Sequence, residues 1–156
     1  MVNNKIGYAC INMALSYPTK YGNKPRGTQP ITTNRSMIKR TFEDKGVDYA
    51  SELILQNVKD LNQIISWNVI NGYDFYRMSS DITPWKTEYE WDDLKDIEQI
   101  RQWFHSAGTM ATTHGIRLTT HPGPFNVLVS PHDHVVDNCV KDLTIHGDVM
   151  DMMGLS

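Results

Sequence analysis

Three short apolar segments alternate with three long helical patterns, and this alternation limits the folds open to the chain. The apolar segments predict strands at 5–11, 74–78 and 116–119, where β-branched and aromatic residues are frequent. Apolar residues in steps of three and four follow each strand, as on one face of a helix. Strands that alternate with helices of this length form parallel sheets through right-handed crossovers. The sequence therefore predicts an α/β fold of three βα units, in a small open sheet or part of a barrel.

The first βα unit has a long connection before its helix. Proline, glycine, threonine and asparagine are abundant at 16–36, which predicts a loop, and a short helix follows at 37–45 until Gly46. The first long helix then ends at Asn71 and Gly72, a pair suited to a left-handed cap. Its predicted buried stripe is Val47, Ala50, Ile54, Val58, Leu61, Ile65 and Val69.

The other two long helices have start and stop signals as well. The second is expected to begin near Asp92 or Asp93 and to stop at Gly115. Asp133 can cap the third helix, and Gly154 closes it.

All three predicted strands end in polar residues: Asn12 after the first, Arg77 with Ser79 and Ser80 at the second, and His121 at the third. In a parallel sheet these ends lie along one edge, where the sites of α/β barrels are built. Arg77 is a candidate for a phosphate contact, and an ion pair with Asp81 is the alternative.

His121 is the most informative of these residues. Pro122 and Gly123 stop the preceding strand, so His121 is expected at the first position of a loop. It is a candidate metal ligand, general base or phosphate contact. Glu88, in the loop after the second strand, could join it on a metal, or could be a solvated loop charge.

Composition and charge exclude some classes of protein. The 156 residues suffice for one domain with a core, and no apolar stretch approaches the roughly 20 residues of a membrane span. Cys10 and Cys139 lack metal-type spacing and are predicted to be buried, reduced thiols, which indicates a cytosol-like compartment.

Basic residues are concentrated near the start of the chain. Residues 1–42 contain no Asp or Glu, whereas all 18 acidic residues follow. Such a segment could attract phosphate backbones, or could be a loop that happens to be basic. The basic residues of this segment are Lys5, Lys20, Lys24, Arg26, Arg35, Lys39 and Arg40.

The remaining histidines are interpreted as structural. His132 and His134 flank Asp133, and capping or surface roles are favoured over a metal cluster. His146 lies on the apolar face of the third helix and is predicted to pack against the sheet. The sequence contains no Walker loop, dinucleotide-binding glycine motif, zinc-protease motif, nucleophile elbow or paired-cysteine motif.

An ordered series of motifs resembles the amino-terminal half of the UV damage endonuclease family, over essentially the whole chain. The matching segments are Ile6-Gly7-Tyr8-Ala9-Cys10-Ile11-Asn12, Thr32-Thr33-Asn34-Arg35, Phe75-Tyr76-Arg77-Met78-Ser79-Ser80 with Ile82 and Pro84, Leu118-Thr119-Thr120-His121-Pro122-Gly123 with Ser130-Pro131, and Met152-Met153-Gly154-Leu155.

This resemblance implies a TIM barrel of the xylose isomerase-like type. It also implies repair of UV-damaged DNA by a metal-dependent nick 5′ of the lesion, with divalent ions that are typically manganese. His121 matches a metal-ligand histidine of the family, whereas Tyr8 and Asn12 match residues that contact the extruded lesion. No catalytic residue is predicted.

Two positions depart from the family pattern. The Gln-Tyr pair that probes the duplex is replaced by Pro124 and Phe125, and Phe125 could still stack whereas Pro124 has no amide to donate. Glu88 stands where the family has another metal-ligand histidine. Further expected contacts with DNA are Arg35, Arg77, Ser79 and Ser80.

The three βα units are fewer than the eight of a closed barrel, which takes about 250 residues. We therefore expect 1–156 to be one partial barrel domain from a truncated or split gene, inactive without a complementary carboxyl-terminal half. A non-catalytic DNA-binding or vestigial fragment, and an unrelated small α/β hydrolase domain, are the alternatives. We expect the protein to lie in the cytoplasm in association with the nucleoid, or in the cytoplasm of a host if the gene is viral.

Overall fold

The structure, a computed structural model, describes residues 5–124 and 126–155 and contains the three predicted βα units. Short 3₁₀ turns occupy much of the loop between the second strand and its helix. The elements in chain order are β1 (Gly7–Ala9), α1 (Met13–Ser16), α2 (Pro18–Tyr21), α3 (Lys39–Asn71), β2 (Phe75–Ser79), 3₁₀ turns at Ser80–Ile82, Lys86–Glu88 and Trp91–Asp93, α4 (Ile97–Thr113), β3 (Arg117–His121) and α5 (Asp133–Met152).

The three strands form one parallel sheet in the order β1-β2-β3, as the sequence predicted. Tyr8 of β1 is in register with Tyr76 of β2, which is in register with Leu118 of β3. Because β2 is central, its backbone is paired on both sides, whereas β1 and β3 each have one edge without a strand partner among the described residues.

The two faces of the sheet differ in burial. Tyr76, Met78 and Leu118 are buried against the helices. Arg77 and Arg117 alternate with them and are exposed on the opposite face. One face of the sheet therefore forms the floor of the core, and the described residues leave the other face open.

The core lies between the sheet and helices α3 and α4. The predicted stripe of α3 is confirmed, because its members from Ala50 to Ile65 are buried and Val47 and Val69 pack at its margin. Burying each large aliphatic side chain contributes about 2 kcal/mol relative to leaving it in water. Gly46 has φ 66° and ψ −161°, which interrupts α3 between the short and long helices that were predicted.

The first βα connection differs from the prediction. β1 covers only Gly7–Ala9, because Cys10 takes a left-handed conformation with φ 58° and cannot continue the strand. The predicted loop at 16–36 also contains a helical turn, α2, with Pro18 at its first position.

Two helix starts were also predicted wrongly. α4 begins at Ile97 and not at Asp92 or Asp93, because Leu94 is extended at φ −77° and ψ 122°. Asp133 is the first residue of α5 and not its cap, and the cap residue, His132, makes no side-chain capping hydrogen bond.

Helix α4 contacts the end of α5 through backbone atoms at Gly108. A Cβ atom added at Gly108 would lie 1.9 Å from the carbonyl oxygen of Met153. This contact is far shorter than van der Waals distance, so only glycine permits the observed approach of the two helices.

We predict that Gly108→Ala lowers the free energy of unfolding by about 1–3 kcal/mol, because the added methyl group overpacks the contact. Gly147→Ala on α5 is the matched control, since its Cβ would meet nothing within 4 Å. It should gain up to about 1 kcal/mol from helix propensity. Urea unfolding followed by circular dichroism checks both variants, and equal stabilities would contradict the packing argument.

Candidate functional site

The carboxyl ends of the three strands meet at one edge of the sheet. Ser79 at the end of β2 pairs with His121 at the end of β3. Cys10, directly after β1, donates its N–H to the carbonyl of Arg77 at 2.7 Å, and Asn12 follows two residues later. His121 was predicted as the first loop residue, but it belongs to the strand because its backbone still pairs with Ser79.

Tyr8 and Asn12 are hydrogen-bonded to each other and to α3. The side-chain amide of Asn12 donates to the Tyr8 hydroxyl at 2.6 Å, and that hydroxyl donates to Oδ1 of Asn68 at 2.6 Å. Oδ1 of Asn12 accepts from the N–H of Leu15 at 3.1 Å and caps α1. Burial raises the pKa of Tyr8 to about 12, so its hydroxyl keeps the proton that it donates. The pair therefore ties β1 and α1 to α3, and its contact with a lesion stays a prediction.

A buried carboxylate on α3 holds the loop that precedes this helix. Asp60 is 2% exposed, and its Oδ2 accepts from the guanidinium of Arg35 at 2.6 Å and from the N–H of Thr32 at 2.9 Å. Its Oδ1 accepts from the side-chain amides of Gln56 and Gln63 at 2.9 Å and 3.1 Å. Four donors thus compensate the desolvation of this charge.

Arg35, a predicted contact with DNA, has most of its guanidinium committed within the protein. It also donates to the carbonyls of Thr32 and Pro30, at 2.6 Å and 3.0 Å. Asn57 accepts from the N–H of Arg35 at 3.1 Å and donates to its carbonyl at 3.0 Å. The segment Thr32–Arg35 is therefore fixed on α3 beside the strand ends.

Of the residues predicted at the end of β2, Arg77 is the exposed one. Its Nε donates to the carbonyl of Thr120 at 3.1 Å, and within the described part of the chain it forms no ion pair with Asp81. Ser79 is buried, and its hydroxyl accepts from the N–H of Asp81 at 3.2 Å. Ser80 is half-buried and borders a cavity.

The two predicted metal ligands lie on different elements of the fold. His121 is exposed at the end of β3, and Glu88 is exposed in a 3₁₀ turn, where it accepts from the Thr87 hydroxyl at 3.2 Å. Across 5–124 and 126–155, no group of three or more His, Cys, Asp or Glu side chains could hold a metal ion. These residues do not by themselves make a complete metal site.

Other predicted residues lie around the loop after β3. Pro124 is exposed, and Phe125 lies outside the described residues. His132 and His134 are exposed, with ring centroids 5.8 Å apart, so their surface location is confirmed.

A cavity of about 360 Å³ lies between the loop after β2 and helix α5. His146 is on its wall, 7% exposed, with Nε2 at 3.8 Å from Oδ2 of Asp142. This nitrogen has no hydrogen-bond partner among the described residues. The residues lining the cavity are Ser36, Met37, Ser80, Asp81, Thr83, Pro84, Trp85, Lys86, Thr87, Asp142, Ile145 and His146.

The surroundings of His146 shift its pKa. Burial lowers the pKa of His146, the carboxylate of Asp142 opposes this effect, and His121 lowers the pKa further. His146 is buried as the prediction requires, and its packing against the sheet stays a prediction. Sequence reasoning missed its unpartnered nitrogen at the cavity. Asp142, four residues earlier on the same helix face, was the available signal.

Lys86 is a second residue that sequence reasoning missed. It is 5% exposed, it donates to the carbonyl of Tyr89, and its Nζ lies 4.7 Å from the centre of the Trp91 ring. Burial lowers the pKa of Lys86. The aromatic residues around it in sequence, at 85, 89 and 91, were the signal for a buried cation.

The two cysteines and the basic segment are the remaining features that were predicted from the sequence. No disulfide joins the two described cysteines, and Cys139 is buried as predicted, whereas Cys10 is half-exposed because its left-handed turn lies at the open strand end. No helix among the described residues is long and apolar enough to cross a membrane. The exposed basic residues of the first segment are Lys5, Lys20, Lys24, Arg26, Lys39 and Arg40.

The chain that forms these strand ends matches a known protein family. The family model described as UV-endonuclease UvdE matches residues 4–156. The chain belongs to the UV-endonuclease family. A putative UV-damage endonuclease of Acanthamoeba polyphaga mimivirus is 33% identical over 153 residues, covering 97% of this chain and 43% of that protein. The UV-damage endonuclease of Schizosaccharomyces pombe is 30% identical over 152 residues, covering 97% of this chain and 24% of that protein.

A solved relative shows the same fold. The crystal structure of SacUVDE superposes with a TM-score of 0.74 at 22% identity, covering 97% of this chain and 46% of that one. The predicted fold class, three βα units of a TIM-like barrel, is thereby confirmed. The chain spans less than half the length of these UV-endonuclease relatives.

We predict that Arg35→Ala lowers the free energy of unfolding by about 2 kcal/mol, because it leaves the buried Asp60 carboxylate without its cation. Arg26→Ala removes an equal charge from an exposed position and should change stability by less than about 0.5 kcal/mol. Urea unfolding measures both. Equal effects would show that the Arg35–Asp60 pair does not hold the loop.

A second prediction concerns acid stability. The pKa of His146 is lowered from its ordinary value of 6.5, so the unfolded state takes up a proton more readily than the folded state. The contribution of neutral His146 to the free energy of unfolding should be fully present above pH 6.5. It should be lost as the pH drops below 6.5 towards the folded-state pKa. Urea midpoints of the native chain and of His146→Gln, between about pH 5 and pH 8, should differ in slope. His105→Gln, at an exposed histidine, should keep the native slope.

Proposed function

We propose that this chain forms the amino-terminal part of a UV-damage DNA endonuclease that nicks DNA 5′ of UV lesions in excision repair. The observation that carries the proposal is the family match over residues 4–156, which includes all three strand ends. The names of the relatives support the same activity, since those from mimivirus and Schizosaccharomyces pombe are called UV-damage endonucleases.

The proposal includes a complementary part, in the same polypeptide or in a second chain. Two observations support it: the relatives are more than twice as long as the matched region, and the described residues leave one face of the sheet open. Arg77 and Arg117 on that face would be covered when further strands close the barrel.

Divalent ions, with Mn²⁺ as the expected metal, belong to the assembled barrel in this proposal. His121 at the end of β3 and Glu88 in the loop after β2 would supply two ligands. Because the described residues lack a three-ligand group, the remaining ligands would come from the complementary part.

Contacts with DNA would come from the strand-end edge and the basic segment. Arg77 is exposed at this edge, Ser80 borders the cavity, and six basic residues of the first segment are exposed. Tyr8, Asn12 and Arg35 would act mainly by fixing the shape of this surface, since their side chains bond within the protein. Phosphate contacts of this kind give salt-dependent affinity.

A second candidate function is DNA binding without catalysis. The lack of a three-ligand group in the described residues favours it, because a chain that acts alone would need one. Membership of the UV-endonuclease family excludes the third interpretation, an unrelated small α/β hydrolase domain.

A reconstitution experiment tests the proposed function. We expect the chain, co-expressed with the remaining carboxyl-terminal part of the mimivirus relative, to nick UV-irradiated supercoiled plasmid in Mn²⁺, whereas each part alone is inactive. His121→Ala should reduce the rate about 100-fold or more, because a metal ligand supports several kcal/mol of transition-state stabilisation. His105→Ala, at an exposed histidine of α4, should retain the rate.

The controls separate the two candidate functions. Chelation by EDTA should stop nicking, and unirradiated plasmid should stay supercoiled. Salt-sensitive retardation of DNA without nicking by the reconstituted pair would favour the non-catalytic function. If the reconstituted pair shows no nicking and no retardation of DNA, both candidate functions are rejected.

A further inference from the structure

One side-chain hydrogen bond ties the loop after β3 to the middle of helix α5. The amide of Asn126 donates to Oδ2 of Asp142 at 2.6 Å, across 16 residues of sequence. The acceptor is a carboxylate, and charge-assisted hydrogen bonds are stronger than neutral ones. This contact joins the loop that follows His121 to the helix that borders the cavity.

Asn126 also closes a turn within the loop. Its side-chain amide donates to the carbonyl of Gly123 at 3.0 Å, and its backbone N–H approaches the same oxygen at 3.4 Å. Pro122 and Pro124 restrict φ on either side of Gly123. Beyond its covalent connection to β3, this turn is held through Asn126, whose partner on α5 is Asp142. We call this hydrogen bond the anchor.

Asp142 is itself held by its place on α5. Its Oδ2 lies 3.8 Å from Nε2 of the buried His146, one helical turn further on. The carboxylate therefore lies between two groups from different parts of the site, the turn residue Asn126 and the cavity residue His146. Among the hydrogen bonds of the described residues 123, 124 and 126, the bond from Asn126 to Asp142 is the one that reaches a helix.

We propose that Asp142 is a positioning residue, which acts through Asn126 to fix the turn after β3 relative to His121 and the other strand ends. The proposal deepens the proposed function, on which it rests for the role of the turn, where the resemblance predicts that Pro124 and Phe125 meet the duplex. Asp142 touches no reacting atom in this proposal. It sets the orientation in which the turn meets damaged DNA.

Nuclear magnetic resonance of the whole chain tests the anchor without relying on activity. We expect Asn126→Ala and Asp142→Ala each to lower the ¹⁵N heteronuclear NOE at Gly123 and at residue 126, and to broaden the imidazole signal of His121. The double variant should lose no more than either single variant, since both remove one contact. Asn138→Ala, at an exposed position of α5, is the control and should leave these signals unchanged.

A conservative variant of the acceptor sharpens the test. Asp142→Asn keeps a side-chain oxygen that can accept from the Asn126 amide but removes the charge, so the NOE at Gly123 should fall less than in Asp142→Ala. A loss in Asp142→Asn as large as that in Asp142→Ala would overturn the anchor, as would additive effects of the two alanine variants.

DNA binding separates this proposal from the function on which it rests. The ratio of dissociation constants for unirradiated and UV-irradiated duplex should fall about 10-fold in Asp142→Ala, the equivalent of one charge-assisted hydrogen bond. A disordered turn with an unchanged ratio and an unchanged His121 signal would overturn the positioning role and leave a structural contact. These dissociation constants are measured on the chain co-expressed with the complementary part. If that native pair binds both duplexes equally, the proposed function fails, while the NMR comparison still decides whether the anchor exists.

Discussion

The parallel register of β2 with both of its neighbours is the constraint on which the site depends. It brings the ends of three segments that are far apart in sequence to one edge, so that Ser79 meets His121 and the turn after β1 lies beside Arg77. A slip of one residue would reverse the faces of β2 and place Arg77 in the core instead of Tyr76. The cost of burying that guanidinium without a partner keeps the register, and with it the site, in place.

Buried polar groups on α3 extend this order to the loops. Asn57 and Asp60 lie on a helix whose other buried residues are mainly apolar. Asn57 bonds the backbone of Arg35 and of the turn after β2, and Asp60 accepts from the loop before α3 and from its own helix. Oδ1 of Asn68 accepts from the Tyr8 hydroxyl, whereas its Nδ2 has no partner among the described residues. Satisfied buried groups such as Asn57 and Asp60 give a loop one conformation, because any other arrangement would leave them without partners. Side chains of α3 therefore determine the shape of the sheet edge at the strand ends, as the strands themselves do.

The sequence predicted most of the fold because burial imposes the period of apolar residues. The stripe of α3, its end at Gly72 and the order of the three βα units followed from that period. The left-handed Cys10 and the late start of α4 did not, since both depend on local backbone angles rather than on hydrophobicity. At the site, Pro122 and Gly123 located His121 to within one residue. The partners of Arg35 and Asn126 are 25 and 16 residues away, so only the fold revealed that these side chains hold loops.

Most helix contacts can absorb a small shift, because side chains change rotamer. At Gly108 the neighbour of α4 is the backbone of Met153, and no side chain lies between them to yield. The end of α5 therefore cannot slide over α4 without moving it, and tightly packed interiors transmit such strain. A displacement of α5 at the cavity, where the helix meets the loops, would therefore be transmitted through the contact at Gly108. It would shift α4 in the layer of helices that covers the sheet.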